Sequence, residues 1–140
     1  MAKGFNPAGV WQPRGRGFNS GVVQHDGYVI HFTGQVAWDE NEELVGRDDV
    51  ETQTRQCFRN IEKILAAVGG RMDDVVSVTT YFTDRSQLPT IQKVRNDYLQ
   101  AESAPASTSV MVAGLGHPDF LVELTPIAVV PRDRFRSPQP

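Results

Sequence analysis

Two neighbouring stretches near the end of the chain carry the side chains best suited to chemistry. A row of small hydroxyls, Ser107, Thr108 and Ser109, opens the first, and a single carboxylate, Glu123, lies within the second. The residues around Glu123 are apolar: Leu121, Val122, Leu124 and Ile127. A carboxylate is costly to bury without a partner or a task, but alternation along a strand also allows it to face solvent. The pattern alone leaves both interpretations open.

Apolar periodicity predicts the elements that must position these residues. Cys57, Phe58 and Ile61 lie on one face of a helix that Asp48 or Asp49 can cap and that two glycines end, so Cys57 is better explained as a buried structural thiol than as a nucleophile. The patterns predict strands at 21–24, 28–33, 34–38, 75–82, 107–112 and 120–130, and helices at 49–68 and 88–101.

Turn and breaker residues refine this prediction. Asp26-Gly27 lies between two apolar runs and predicts a hairpin of the first two strands. Gly34 indicates a bulge or a close backbone approach, and Pro126 a bulge or an edge in the last strand.

The element order β-β-β-α-β-α-β-β predicts an α+β fold in which two helices cover one face of a mixed sheet. We expect an irregular N-terminal arm over 1–20, a single domain over 21–131 and a polar tail over 132–140. Because valine and isoleucine are too dense for simple alternation, we expect oligomerisation to cover the other sheet face.

Composition limits the classes of partner. The chain has 140 residues, a formal net charge of −3 and one cysteine, so we expect one cytoplasmic domain without a disulfide. Lysine and arginine are scattered, which disfavours nucleic acid as the main partner; Arg132, Arg134 and Arg136 are interpreted as belonging to a solvated tail. The sequence predicts neither a signal peptide nor a membrane span, and one cysteine and three histidines show no metal-binding spacing.

Collinear motifs spread over about 21–130 resemble the RidA/YjgF family of reactive-intermediate deaminases. The motifs are Thr33-Gly-Gln-Val, the helix that begins Glu51-Thr-Gln-Thr-Arg, the strand Asp73-Asp-Val-Val-Ser-Val-Thr-Thr-Tyr-Phe, Pro105-Ala-x-x-x-Val and Val122-Glu-Leu-x-x-Ile-Ala. The resemblance implies a chorismate-mutase-like fold and a homotrimer with a central barrel and three clefts between subunits. It also implies hydrolysis of enamines and imines of the 2-aminoacrylate type to keto acids and ammonia, with no metal or organic cofactor.

Carried over residue by residue, the family pattern makes Glu123 the group that holds and activates water. Thr33 takes the place of a pocket serine, followed by Gly34, and the backbone of Ser109 takes the place of a ligand contact. Ser107 stands where the family has an arginine that grips the substrate carboxylate, and serine cannot form that charged fork.

The tyrosine that lines the family's pocket is also replaced, since that position falls near Asn19 or Ser20. Arg16, with Arg14 in a flexible arm, and His31, two residues before Thr33, are candidates to supply the missing charge; His117 is a candidate for the cleft rim.

Two functions follow as alternatives. The first is a cofactor-free deaminase of a small molecule other than 2-aminoacrylate, for example an aminomuconate-like intermediate. The second is a trimer that binds a small molecule without catalysis. A ribonuclease activity is a weaker third, because the chain lacks a basic patch.

Overall fold

A four-stranded mixed sheet covered by two helices forms the body of the protein, seen in a computed structural model that describes residues 3–139. The strands are β1 (Lys3–Phe5), β2 (Gly21–Val23), β3 (Tyr28–His31), β4 (Val75–Phe82), β5 (Ala106–Met111) and β6 (Val122–Val130). The helices are α1 (Val50–Ala67) and α2 (Leu88–Tyr98), each close to its predicted range. The α+β prediction is confirmed.

The strand order in the main sheet is β3-β6-β4-β5. β6 runs antiparallel to both β3 and β4, whereas β5 runs parallel to β4 because α2 makes the crossover between them. β5 and β3 therefore form the two edges of this sheet.

One face of the sheet carries the core. The helices contribute Phe58, Ile61 and Ile91, which pack against alternate residues of the two central strands such as Val78 and Leu124. The face away from the helices has no covering element among residues 3–139, and its side chains are half-buried.

Local signals account for the limits of α1. Asp49 is the N-cap, since its carboxylate accepts hydrogen bonds from the Thr52 backbone N–H at 3.1 Å and the Thr52 hydroxyl at 2.7 Å. At the other end Gly69 has a φ of 77°, and the Gly70 N–H donates to the Leu65 carbonyl at 2.8 Å, as in a Schellman motif.

The predicted hairpin around Asp26-Gly27 is wrong. β2 pairs with β1, a strand in the segment predicted to be irregular, and β3 pairs with β6. A two-residue turn signal indicates a local reversal of the chain. Here each of the two strands beside the turn pairs with a different strand, β2 with β1 and β3 with β6. The predicted strand at 34–38 is also wrong, because only Gln35 and Trp38 make isolated bridges there.

The C-terminal tail is attached to the domain rather than solvated. Arg134 donates to both carboxylate oxygens of Asp74, at 2.9 and 2.5 Å, and Asp74 is 2% exposed. Arg136 donates to the Ala66 carbonyl, and Arg132 pairs with exposed Asp26. The tail arginines therefore donate hydrogen bonds to carboxylates and a carbonyl of the domain. The prediction of a solvated tail, made from the charge pattern, is wrong.

No helix within residues 3–139 is long and apolar enough to cross a membrane.

Candidate functional site

Glu123 lies on the sheet face away from the helices. Its neighbours along β6, Val122 and Leu124, are buried in the core, so alternation directs Glu123 to the opposite face. On β4 its partner in register is Tyr81. Glu123 is half-buried rather than fully exposed.

Gly34 lies directly against the side chain of Glu123. A β-carbon at Gly34 would stand 2.9 Å from the carboxyl carbon of Glu123 and 3.1 Å from its γ-carbon, closer than side chains pack. The close backbone approach that was one alternative for Gly34 is not what the structure shows, because the group that approaches is the side chain of the candidate catalytic carboxylate.

An irregularity in the sheet brings Gly34 to this position. His31 pairs with Ile127, but the next bridge joins Gln35 to Leu124. The segment after β3 therefore advances four residues while β6 advances three, which leaves one extra residue on the segment after β3. The extra residue lies opposite Pro126, which has no N–H to donate to that side. The bulge or edge predicted in the last strand is not found there: β6 continues through Pro126 as a central strand, and the extra residue lies in the partner segment between His31 and Gln35.

Hydrogen bonds fix the segment that carries Thr33 and Gly34. The N–H of Gln35 donates to the Leu124 carbonyl at 2.7 Å, and the Leu124 N–H donates back at 3.0 Å. The Gln35 side chain donates to the Thr33 carbonyl at 2.9 Å. Thr33 and Gly34 line a surface cavity of about 470 Å³ together with Trp38, Asn60 and Lys63 of the segment and α1.

Two amides of α1 that the sequence analysis did not single out support the loops on either side of the site. Asn60 donates to the carbonyls of Val36 and Trp38, at 3.0 and 2.9 Å. Gln53, fully buried, donates to the Gly46 and Asp119 carbonyls and accepts from the Leu121 N–H. The sequence pattern that could have indicated their role is that Gln53 and Asn60 lie two helical turns apart on the side of α1 that carries the apolar residues.

Ser107 lies on the other side of the sheet from Glu123. It pairs in register with Val78, a core residue beneath the helices, whereas Glu123 pairs with Tyr81. The Ser107 hydroxyl accepts a hydrogen bond of 3.2 Å from Nη1 of Arg95 in α2. A single chain therefore does not bring Ser107 and Glu123 together.

The backbone of Ser109 faces the open edge of β5. The Val112 N–H donates to the Phe82 carbonyl of β4 at 2.8 Å. Because amides point to alternate sides along a strand, those of Ser107 and Ser109 point away from β4. This is compatible with the predicted backbone contact to a ligand, which stays a prediction.

Asn19 and Ser107 line a second cavity, a groove of about 680 Å³ between the N-terminal segment and β5, with Phe5, Trp11 and Phe18. Two hydrogen bonds of 2.8 Å hold Asn19 there: its backbone N–H donates to the Pro105 carbonyl, and its side-chain amide donates to the Ala104 carbonyl. The N-terminal segment thus packs against its own domain.

The remaining candidates lie apart from Glu123. Arg16 is exposed, stacks on Trp11 with 5.2 Å from its guanidinium carbon to the ring centre, and donates to the Pro13 carbonyl. His31 is exposed at the end of β3, where it shares the Glu123 face but lies about 13 Å along the strand. His117 accepts from the Asp119 N–H through Nδ1 at 3.1 Å.

Burial shifts the pKa of two groups near these cavities. Burial, with the charge of Glu123 adding to it, raises the pKa of the Cys57 thiol to about 12. The expected burial of this thiol is confirmed. Burial also lowers the pKa of Arg95 from its ordinary value. Among residues 3–139, no three His, Cys, Asp or Glu side chains form a group that could hold a metal ion.

Two helices on one face of a mixed sheet, with a carboxylate of the last strand packed on a glycine loop, define a class of small α+β proteins. The family model described as endoribonuclease L-PSP matches residues 13–130. The chain therefore belongs to this family, the RidA/YjgF family that the motifs resemble.

Solved structures and curated relatives agree. The Rid-family protein YyfB of Yersinia pestis superposes with a TM-score of 0.86 at 30% identity, over 92% of this chain and 98% of that one. RidA of a Psychrobacter species has a TM-score of 0.68 at 32% identity, over 76% and 84%. The 3-aminoacrylate deaminase RutC of Acinetobacter baylyi is 33% identical over 73% of this chain and 79% of its own.

Proposed function

We propose that this protein is a deaminase that hydrolyses an enamine or imine to a carbonyl compound and ammonia. The observation that carries the proposal is the packing of Glu123 against Gly34, beside a cavity that Thr33 lines. A half-buried carboxylate held next to an exposed main-chain segment can hold a water molecule against a bound substrate. The A. baylyi relative, named a 3-aminoacrylate deaminase, supports enamine chemistry.

In the proposed reaction water adds to the carbon of a C=N bond. Glu123 accepts a proton from the attacking water and passes it to nitrogen, which gives a carbinolamine. It then accepts the hydroxyl proton of that carbinolamine and passes it to nitrogen, so that ammonia leaves and a C=O bond remains. An enamine first takes up a proton on carbon to become the imine. Thr33 and the backbone at Ser109 orient the substrate in this proposal.

We further propose that the site is completed between subunits of a homotrimer. Glu123 and Ser107 lie on opposite sides of the sheet, and the two helices cover only the side away from Glu123. Placing the β5 edge of one subunit beside the Glu123 face of another would join the two halves. The single, buried thiol suits a reducing compartment, which supports a cytoplasmic location.

Ser107 supports a substrate other than 2-aminoacrylate. The hydroxyl cannot form the charged fork that the family pattern places there, and Arg16 is turned toward Trp11 and Pro13 instead. We propose a larger unsaturated enamine, such as an aminomuconate-like intermediate. We expect little acceleration of pyruvate formation when 2-aminoacrylate is generated from serine.

One observation favours a second candidate function. Ser107 stands at the position of the family's arginine, and the tyrosine position falls near Asn19 or Ser20, so both family side chains are absent, as expected for a trimer that binds a small molecule without turning it over. A ribonuclease activity, which the family description names, is the weakest candidate because the net charge is −3.

The decisive experiment compares Glu123→Gln with Glu62→Gln, a change at an exposed position on α1. Both variants and the native protein are assayed for ammonia release from a panel of enamines, with melting temperature and light scattering on the same samples. We expect Glu123→Gln to lose about two to four orders of magnitude in rate while the trimer persists, and Glu62→Gln to behave as native. Equal rates in all three would remove Glu123 from the mechanism, and absence of turnover in every sample would favour the binding protein.

A further inference from the structure

One side-chain amide of α1 holds the main chain that carries Gly34. The Asn60 amide donates to the Val36 carbonyl at 3.0 Å and to the Trp38 carbonyl at 2.9 Å. Its own oxygen accepts a hydrogen bond of 2.9 Å from the side chain of Gln56, which lies one turn earlier on the helix and is 8% exposed. The nitrogen and the oxygen of this amide are therefore both engaged, which fixes the direction in which the amide points.

The segment from Gln35 to Trp38 is held on both of its sides. Carbonyls alternate in direction along an extended chain, and those of Val36 and Trp38 point toward α1. On the other side the segment pairs with β6, where the Gln35 N–H donates to the Leu124 carbonyl at 2.7 Å. The segment is therefore fixed between α1 and β6, and Asn60 makes its connection to the helix.

This connection favours one of two possible registers between the segment and β6. If the pairing continued from His31 and Ile127 without interruption, Gln35 would stand opposite Glu123. The Gln35 side chain, and not Gly34, would then lie beside the carboxylate. In the structure the Gln35 bridge is shifted by one residue, and Gly34 lies against Glu123. Extra residues in a sheet often serve to redirect a side chain next to an active site.

We propose that Asn60 is a positioning residue for Glu123. It holds the segment in the shifted register, and through Gly34 it fixes the direction of the candidate catalytic carboxylate. Asn60 acts through the main chain of the segment and not on the reacting atoms. For its effect on turnover the inference rests on the proposed function, whereas its effect on the Glu123 side chain does not depend on it.

The test compares Asn60→Leu with the native protein. Leucine is similar in size but has no N–H, so the carbonyls of Val36 and Trp38 both lose their donor. Because the carboxylate would move by about 1 Å, we expect kcat for the fastest enamine of the panel to fall about 100-fold. KM should change about three-fold or less, since the groups that bind the substrate remain. An unchanged kcat in the folded variant would overturn the proposal.

Ile61→Val is the matched control, at the next position of α1. Ile61 is 1% exposed in the core, so this change loosens the packing of the helix and leaves the hydrogen bonds of Asn60 in place. We expect a lower melting temperature and the native kcat. An equal loss of kcat in Ile61→Val and Asn60→Leu would show that helix packing sets the rate, and would overturn the proposal.

A double-variant cycle tests whether Asn60 acts through Gly34. Gly34→Ala and Asn60→Leu should each misplace the same carboxylate, so the combined variant should be about as slow as the slower single variant. Losses that multiply, to about 10⁴-fold, would mean that Asn60 affects turnover by another route and would overturn the proposal.

A second readout needs no turnover. Hydrogen exchange of the Gln35 and Leu124 amides, followed by NMR, should be at least about ten-fold faster in Asn60→Leu and native in Ile61→Val. The ¹³C signal of the Glu123 carboxyl should move in Asn60→Leu only. If these signals move but no sample turns over an enamine, the deaminase is refuted and the positioning role stands. Turnover with unchanged signals would refute only the role of Asn60.

A shorter side chain serves if the leucine variant does not fold. Asn60→Ser keeps the position polar but is too short to reach both carbonyls, and the same rate, exchange and carboxyl measurements apply to it. Native values in all three would overturn the proposal.

Discussion

Gly34 and Glu123 are in van der Waals contact across the irregularity between β3 and β6, and the contact exists because Gly34 has no side chain. Any β-carbon there would stand 3.1 Å from the γ-carbon of Glu123 and nearer still to its carboxylate. Glycine is required here for the space it leaves, and the position of the candidate catalytic carboxylate depends on it.

Gly34→Ala should therefore move the Glu123 side chain while leaving the domain folded. The atoms in the way belong to the end of a flexible side chain, which can rotate aside at little cost in stability. We expect turnover to fall about 100-fold, the usual effect of misplacing a reacting group by about 1 Å. Rate and melting temperature measured on the same sample check this.

Gly114→Ala is the matched control. Nothing lies within 4 Å of a β-carbon at Gly114, in the loop that precedes β6. Its rate should equal that of the native protein. A loss of rate in both variants would mean that glycine is needed for backbone freedom and not for the contact with Glu123.

Ser107→Arg should lower stability. The family pattern alone suggests that arginine at this position would raise activity toward 2-aminoacrylate, but the Ser107 hydroxyl lies 3.2 Å from the Arg95 guanidinium. A second cation against a buried one should lower the free energy of unfolding by about 3 kcal/mol. Urea unfolding of the single variant and of the exchange Arg95→Ser with Ser107→Arg tests this, since the exchange keeps one cation and should recover most of the loss.

Cys57 should be unreactive in the native protein. Burial, and then the charge of Glu123, raises the pKa of its thiol from 9.0 to about 12, so the thiolate is scarce near pH 8. A disulfide reagent at pH 8 should modify Cys57 only in denaturant. Because the folded pKa is the higher one, this group's contribution to stability is complete below pH 9 and is lost as the pH rises toward 12. Rapid labelling without denaturant would contradict this.

Arg134→Ala should be strongly destabilising and Arg132→Ala nearly neutral, although both arginines lie in the same tail. Removal of Arg134 leaves the buried Asp74 carboxylate without its partner, at a cost of about 3 kcal/mol. Arg132 pairs with Asp26, which is 80% exposed, and solvent screening leaves such a pair with little effect on stability. Equal urea midpoints for the two variants would show that the tail is solvated after all.

Helices and the central strand were predictable because local patterns fix them. The apolar face of α1, its Asp49 cap and its terminal glycines are each readable within a few residues, and β4 is continuously apolar or β-branched. Glu123 and Gly34 were found because an isolated carboxylate and an isolated glycine break the pattern of their strands.

Pairing and buried polar contacts could not be predicted in this way. β2 lies near the Asp26-Gly27 turn yet pairs with Lys3–Phe5, a choice decided by packing of distant segments. The sequence analysis did not single out Arg95, since its burial against Phe18 and Ser107 depends on where the N-terminal segment crosses α2. The alternation of side chains along one strand also could not show that Ser107 and Glu123 lie on opposite faces of the sheet. That depends on the register in which β5 and β6 each pair with β4.

The bond between Asp74 and Arg134 has a consequence for synthesis of the protein on the ribosome. Asp74 precedes β4, whereas its partner Arg134 is made later, after the whole of β6. Until Arg134 has left the exit tunnel, native packing would enclose an uncompensated carboxylate, which disfavours that packing. The nascent domain should therefore stay open to proteases until Arg134 has emerged, and a stalled chain that ends at Val130 should be digested where a chain that includes the emerged Arg134 resists.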